Sequence, residues 1–157
     1  MNRPQKETII NEIMLELSKT VEMFGLTPLE SRLFAYLYLT EKPMTLDDMA
    51  DALGKSKTSM STSIRALSDQ NLVTRVWRKG VRKDLYEANT QLFKSFMNSY
   101  INKWIDAANQ QRVSLEEIEK QMHQLRSSEV TTITPRLKQI ILFHQEVENV
   151  FKEMKQD

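Results

Sequence analysis

Two helix signals separated by one glycine, between Thr45 and Gln70, constrain the fold of this chain more than any other feature. Thr45, with Asp48 three residues later, is typical of a helix N-terminus, and Ser56 begins a second helix directly after Gly54. The first of these helices is only about two turns long. Two short helices joined by a tight glycine turn predict a helix-turn-helix.

The same part of the sequence holds most of the positive charge. Residues 54–83 contain eight basic residues and one acid, Asp69, a balance of +7, whereas the other 14 basic and 20 acidic residues balance at −6. Such a concentration favours a polyanionic partner. A run of charge alone is more often ordinary solvated surface, so its coincidence with the helix-turn-helix is what supports nucleic acid.

The second helix and the residues after it carry the predicted DNA contacts. Leu72–Trp77 and Lys83–Ala88 predict two strands, and Gly80 predicts a hairpin tip with positive φ, which together make a wing. We expect Trp77 to pack within the wing rather than to wedge between bases. Short polar groups suit base edges and basic groups suit phosphates. The predicted contacts are Lys55, Ser56, Lys57, Thr58, Ser59, Ser61, Thr62 and Arg65 on the recognition helix, and Arg75, Arg78, Lys79, Arg82 and Lys83 on the wing.

Apolar stripes at helical spacing predict the remaining elements. The first stripe runs from Ile9 to Phe24, and a capped helix follows over Pro28–Leu39. A long helix is predicted from Gln91 to about Arg126, with a polar middle at which it can bend or break. A polar linker over Ser127–Thr132 then precedes a last helix that starts at Thr134 and Pro135. Only three Gly and four Pro also predict a mostly helical chain.

This order of elements resembles the MarR superfamily of winged-helix regulators, and more closely its GbsR-type branch. The resemblance is carried by Thr45–Ala88, TLDDMADALGKSKTSMSTSIRALSDQNLVTRVWRKGVRKDLYEA, and covers nearly the whole chain. It implies a mainly α fold: an N-terminal dimerisation helix at 1–24, a winged helix-turn-helix with a small β-hairpin wing at 25–90, and a long helix and a C-terminal dimerisation helix at 91–157.

The resemblance also implies a function. A homodimer would bind a double-stranded, pseudo-palindromic operator and regulate transcription, more often as a repressor than as an activator, of osmoprotectant uptake or synthesis genes. The residues support the dimer independently, because a domain of this size does not cover three long apolar stripes, whereas a twofold mate does.

An aromatic set suggests a second kind of site. Ring faces attract quaternary ammonium groups, and GbsR-type proteins are associated with choline sensing. The candidate effector pocket consists of Phe24, Tyr36, Phe96, Tyr100 and Trp104. The alternative is that these rings are core, since a stripe at helical spacing is more often core than cage.

Other functional classes find little support. The chain lacks Cys, and His123 and His144 lie in different helices without metal-ligand spacing, so neither a metal site nor a cofactor is predicted; His144 is expected to be hydrogen-bonded. No nucleotide-binding or nucleophile motif supports an enzyme. The sequence has no membrane span and no secretion signal, which fits a cytoplasmic protein. A winged helix used only for protein interaction remains the alternative, although it predicts apolar residues on the outer face of the recognition helix.

Overall fold

The computed structural model of the chain describes residues 2–125 and 128–155, which fall into two compact units divided between Phe96 and Met97. Within these residues the elements are α1 (Arg3–Glu22), α2 (Pro28–Thr40), α3 (Leu46–Leu53), α4 (Lys57–Asp69), β1 (Val73–Val76), β2 (Leu85–Ala88), α5 (Leu92–Leu125) and α6 (Ser128–Met154). The predicted mainly helical winged helix-turn-helix with a small hairpin is confirmed. None of the described helices combines the length and hydropathy needed to cross a bilayer.

Reciprocal caps fix the starts of the first three helices. The Thr27 hydroxyl accepts from the Glu30 N–H at 3.1 Å, and the Glu30 carboxylate accepts from the Thr27 N–H at 2.9 Å. Thr45 and Asp48 make the same exchange, with both distances 3.0 Å. These contacts satisfy backbone donors that have no partner inside the helix. The predicted starts of α2 and α3 are therefore confirmed.

The core of the first unit lies among its helices and the hairpin. α1 packs against α2, while α4 packs against α2, α3 and β1. The Phe34 side chain is fully buried and meets the Phe96 ring edge-on, with 4.9 Å between centroids. Other side chains with no exposed surface are Leu33, Met49, Met60, Leu67 and Leu72.

The hairpin is short and is extended by a third segment. β1 and β2 are antiparallel, with Val73 opposite Ala88 and Val76 opposite Leu85. Met44, just before α3, exchanges backbone hydrogen bonds of 2.8 and 2.9 Å with Tyr86. The loop before the helix-turn-helix is thereby fastened to the wing.

The second unit has a smaller buried set. Its buried apolar side chains in the described residues are Ile101, Ala108, Leu137 and Ile141. The carboxylate of Glu148, on α6, is also buried and accepts from Lys152 at 3.0 Å and from Arg112 of α5 at 3.2 Å. These hydrogen bonds, that from Lys152 first, lower the pKa of Glu148 against the opposing effect of burial. An ion pair therefore links α5 to α6.

The predicted linker and the predicted start of the last helix are wrong. α6 already begins at Ser128, so the residues from there to Thr132 are helix and not linker, and Pro135 lies inside the helix. Proline removes one backbone donor, and the Thr134 hydroxyl next to it donates to the Val130 carbonyl at 3.3 Å. The predicted long helix is confirmed as α5, which continues without a break through its polar middle. Arg126 and Ser127, the predicted helix end and linker start, lie outside the described residues.

Candidate nucleic-acid interface

The turn between α3 and α4 orients the recognition helix. Gly54 adopts φ +65° at the end of α3, and its N–H donates to the Ala50 carbonyl. The Ser56 hydroxyl then caps α4 by accepting from the Ser59 N–H at 3.0 Å. Met60, Ser63, Ile64 and Leu67 of α4 are buried. Because one face of the helix is held in the core, its opposite face is directed to solvent.

The predicted residues lie on α4 and on the two positions just before it. Six of them are exposed and two are half-buried: Lys55, Ser56, Lys57, Thr58, Thr62 and Arg65 in the first group, Ser59 and Ser61 in the second. The first turn of α4 contains no acidic side chain, whereas that of α3 contains two. The positive end of the α4 dipole is therefore not offset by an acid within its own first turn, which suits an anionic ligand.

The wing residues are also exposed. Arg75 lies on β1, and the other four, Arg78, Lys79, Arg82 and Lys83, lie between the strands. Gly80 has φ +83° and the Val81 N–H donates to the Arg78 carbonyl at 3.2 Å, so the predicted hairpin tip is confirmed. Trp77 is 78% exposed, and the expectation that it packs within the wing is wrong. The ladder ends at Val76, one residue earlier, so no strand partner covers the indole.

Some of the predicted cations already have partners inside the protein. Lys83 Nζ lies 2.6 Å from Asp47 Oδ2, and Lys57 Nζ lies 3.6 Å from Asp47 Oδ1. Arg75 pairs with Asp84 at 2.5 Å. In the part of the chain that the structure describes, no ion pair involves the remaining cations of the two sets, Lys55, Arg65, Arg78, Lys79 and Arg82.

Asp47 is the charged neighbour that sequence reasoning missed. It lies in the first turn of α3, 36 residues before Lys83, and its sequence context indicates only a favourable helix-dipole position. The hydrogen bond from Lys83, followed by the charge of Lys57, lowers the pKa of Asp47, and the same hydrogen bond raises the pKa of Lys83. Only the folded helix-turn-helix and hairpin bring these groups together, so no local pattern reveals them.

The residues of the predicted effector pocket are divided between the two units. In the first unit, the rings of Phe24 and Phe96 lie 5.3 Å apart, and Tyr36 is half-buried, which raises its pKa. In the second unit, Trp104 stacks on Phe151 at 5.5 Å, and Tyr100 lies 6.4 Å from the same Phe151 ring. Four of these five side chains, all except Tyr36, therefore contact another aromatic ring. Such contacts fit a core as well as a ligand pocket, so the pocket stays a prediction.

The described residues contain no group of three acidic or histidine side chains arranged to hold a metal ion. His144 is hydrogen-bonded, as predicted: its Nδ1 lies 2.8 Å from the Ile140 carbonyl and its Nε2 lies 3.1 Å from Gln111 Oε1.

Comparison with known proteins shows which proteins the chain is similar to in sequence and in fold. The sequence model of the MarR family matches residues 24–82. The transcriptional repressor OpcR of Bacillus subtilis is 29% identical over 110 residues, which are 70% of this chain and 60% of that protein. The repressor GbsR of the same organism is 35% identical over 88 residues, 56% of this chain and 48% of that protein. The chain therefore aligns with less than two thirds of the length of either relative.

A solved structure described as a transcriptional regulator extends the likeness in fold. It superposes with a TM-score of 0.67 at 19% identity, over 92% of this chain and 94% of that one. At this identity the agreement concerns the fold, which is therefore shared over nearly the whole chain.

Proposed function

We propose that this chain is a member of the MarR superfamily, whose family model matches residues 24–82, and that it is a DNA-binding regulator that represses transcription as a homodimer. The observation that carries the proposal is the placement of the basic residues. A buried face holds α4 in the core, its outer face is basic and hydroxylated, and the adjacent hairpin adds five further cations. Hydroxyl groups of the recognition helix would read base edges, while Lys and Arg would contact phosphates. The same surface favours DNA over a protein-interaction module, which would present apolar side chains on the outer face of α4.

The proposed homodimer rests on apolar side chains that each unit leaves in water. On α1, Ile9, Ile13 and Leu15 are 43 to 58% exposed. On α6, Ile140, Phe143 and Val150 are 45 to 60% exposed. Removing such surface from water is favourable by about 25 cal/mol per Å². A twofold mate that presents the same helices would cover it, with residues 1–24 and 91–157 as dimerisation regions and 25–90 as the DNA-binding domain.

The similarity to GbsR supports a narrower proposal about the regulated genes. The regulated genes would be those for osmoprotectant uptake or synthesis. The protein would act in the cytoplasm, and a quaternary ammonium compound would be its effector. The aromatic side chains Phe24, Tyr36, Phe96, Tyr100 and Trp104 supply the ring faces that such a cation prefers. Titration with choline and glycine betaine by calorimetry tests this part, and absence of heat at millimolar ligand would remove it.

Arg82→Ala tests the DNA-binding proposal. Arg82 is exposed and outside every described ion pair, so its loss removes a phosphate contact without disturbing the fold. Affinity should fall about three- to tenfold for a selected operator and a random duplex alike, and the slope of log K against log salt should become shallower by about 1. Fluorescence anisotropy on duplexes obtained by selection from a random library measures both.

Arg32→Ala is the matched control, because Arg32 is an exposed arginine of α2, outside α4 and the wing. Equal losses for the two variants would contradict the wing assignment. Failure of the unaltered protein to bind any duplex at low salt would reject DNA binding itself.

A further inference from the structure

One carboxylate lies between the two cationic elements of the proposed interface. Asp47 Oδ2 accepts from Lys83 of the wing at 2.6 Å, and Asp47 Oδ1 lies 3.6 Å from Lys57 of the recognition helix. The side chains of all three residues are 41 to 66% exposed. The carboxylate therefore sits at the surface, where both lysines would otherwise be open to a phosphate.

The local shape fits that role. A cleft of about 250 Å³ is lined by Asp47, Lys57, Arg82, Lys83 and Asp84, together with Thr45 and Leu46 at the start of α3. The lining combines three cations with two carboxylates. Asp84 pairs with Arg75, whereas Asp47 pairs with Lys57 and Lys83, two of the cations in the cleft. A phosphate oxygen and a carboxylate oxygen accept the same kind of charge-assisted hydrogen bond from an ammonium group.

The fold does not need this carboxylate for its own geometry. The Thr45 and Asp48 pair already caps α3, and the strand ladder with the Met44 and Tyr86 bridge fixes the base of the hairpin. Exposed ion pairs of this kind add little to stability. The structural contribution of Asp47 is thus small, whereas its effect on the charge that two lysines present to a ligand is direct.

We infer that Asp47 is an internal counter-anion that occupies Lys57 and Lys83 in the free protein and thereby limits sequence-independent binding to DNA. This inference rests on the proposed DNA-binding function. A phosphate that approaches the cleft must displace the carboxylate from the lysines and also meets its repulsion. Contacts to phosphate carry no sequence information, so a restraint on them lowers affinity for random DNA more than it lowers the contribution of base contacts.

Asp47→Asn in the full chain tests the inference, because the amide keeps the shape of the side chain and removes its charge. Binding to a random 30-base-pair duplex is measured by anisotropy from about 50 to 250 mM salt. Release of one or two lysines should steepen the slope of log K against log salt by roughly 1 to 2 and raise low-salt affinity about three- to tenfold. Asp51→Asn is the matched control, since Asp51 is an exposed acid one turn further along α3.

A second measurement separates the local contact from general charge. In a Lys57→Gln, Lys83→Gln background, Asp47→Asn should produce no larger change than Asp51→Asn. The inference is overturned if Asp47→Asn and Asp51→Asn act equally in the unaltered background, or if Asp47→Asn weakens binding while circular dichroism shows a folded protein. If the unaltered protein binds no duplex at low salt, the proposed function fails, which is a different result from either of these.

Discussion

The two compact units bury their apolar side chains to very different extents. The first contains a continuous core around Leu33, Phe34 and Met60, all without exposed surface. In the second, buried apolar residues are few, while Phe143 is 60% and Ile118 46% exposed. The first unit thus has what a domain needs to be stable alone, whereas the second resembles half of an interface. The contrast teaches that the cationic surface belongs to the unit with the closed core, and it supports the proposal that exposed apolar helix faces serve association.

Replacing one phenylalanine by alanine in each unit tests this comparison most strongly. Phe34→Ala should lower the free energy of unfolding by about 3–5 kcal/mol, because it opens a cavity in a closed core. Phe143→Ala removes a ring that is 60% exposed and should change the stability of the subunit far less. Urea unfolding followed by circular dichroism, at a protein concentration low enough to keep the chain monomeric, measures both. Equal losses would erase the distinction between the units.

A charge on the exposed face of α6 sharpens the comparison. Phe143→Asp should weaken the proposed dimer about 100-fold, since an aspartate buried at an interface has no partner. Sedimentation velocity across a dilution series measures the dissociation constant. Gln145→Asp, at an exposed polar position of the same helix, is the control. If both variants remain dimeric at the concentrations of the unaltered protein, this face of α6 is not the interface.

The smallest expected effect concerns a buried hydroxyl group and tests whether the core of the first unit excludes water. Ser31 on α2 is fully buried, and its hydroxyl has no hydrogen-bond partner among the described residues. Ser31→Ala should therefore stabilise the protein by about 1 kcal/mol, because an unsatisfied polar group is removed. Thermal unfolding measures the gain. A loss of stability would indicate that the hydroxyl is satisfied in solution, and that this core admits water.

Local chemistry explains why much of the fold could be predicted. Thr27 with Glu30 and Thr45 with Asp48 are capping pairs that act within three residues, and Gly54 and Gly80 occupy positive φ at the predicted turns. Each of these signals depends only on near neighbours. The order of helices and the wing follow from them, and the basic outer face of α4 follows from the helical period.

The rest depends on contacts between distant residues. The sequence predicts a start of α6 that is too late, because proline is common at the first position of a helix, yet the turn before Pro135 is also helical. Lys57, Lys83 and Arg75 were predicted as phosphate contacts, and nothing adjacent in sequence indicates that Asp47 binds the first two. Glu41 and Asn71 both adopt φ of 60°. Neither is glycine, so the residue type does not indicate the left-handed backbone at these turns.

The unequal capping of the helices has a consequence for engineering heat resistance. α1, α2 and α3 each begin with a reciprocal cap, but α4 begins with Ser56 and has Ser59 where the second partner would stand. Glutamate at position 59 would complete the reciprocal cap and increase the stability of α4. It would also bring a negative charge to the turn that is proposed to face phosphates. The start of α4, which lacks the reciprocal cap, is therefore a position where helix stability and ligand affinity compete. A variant engineered for heat resistance should keep Ser59.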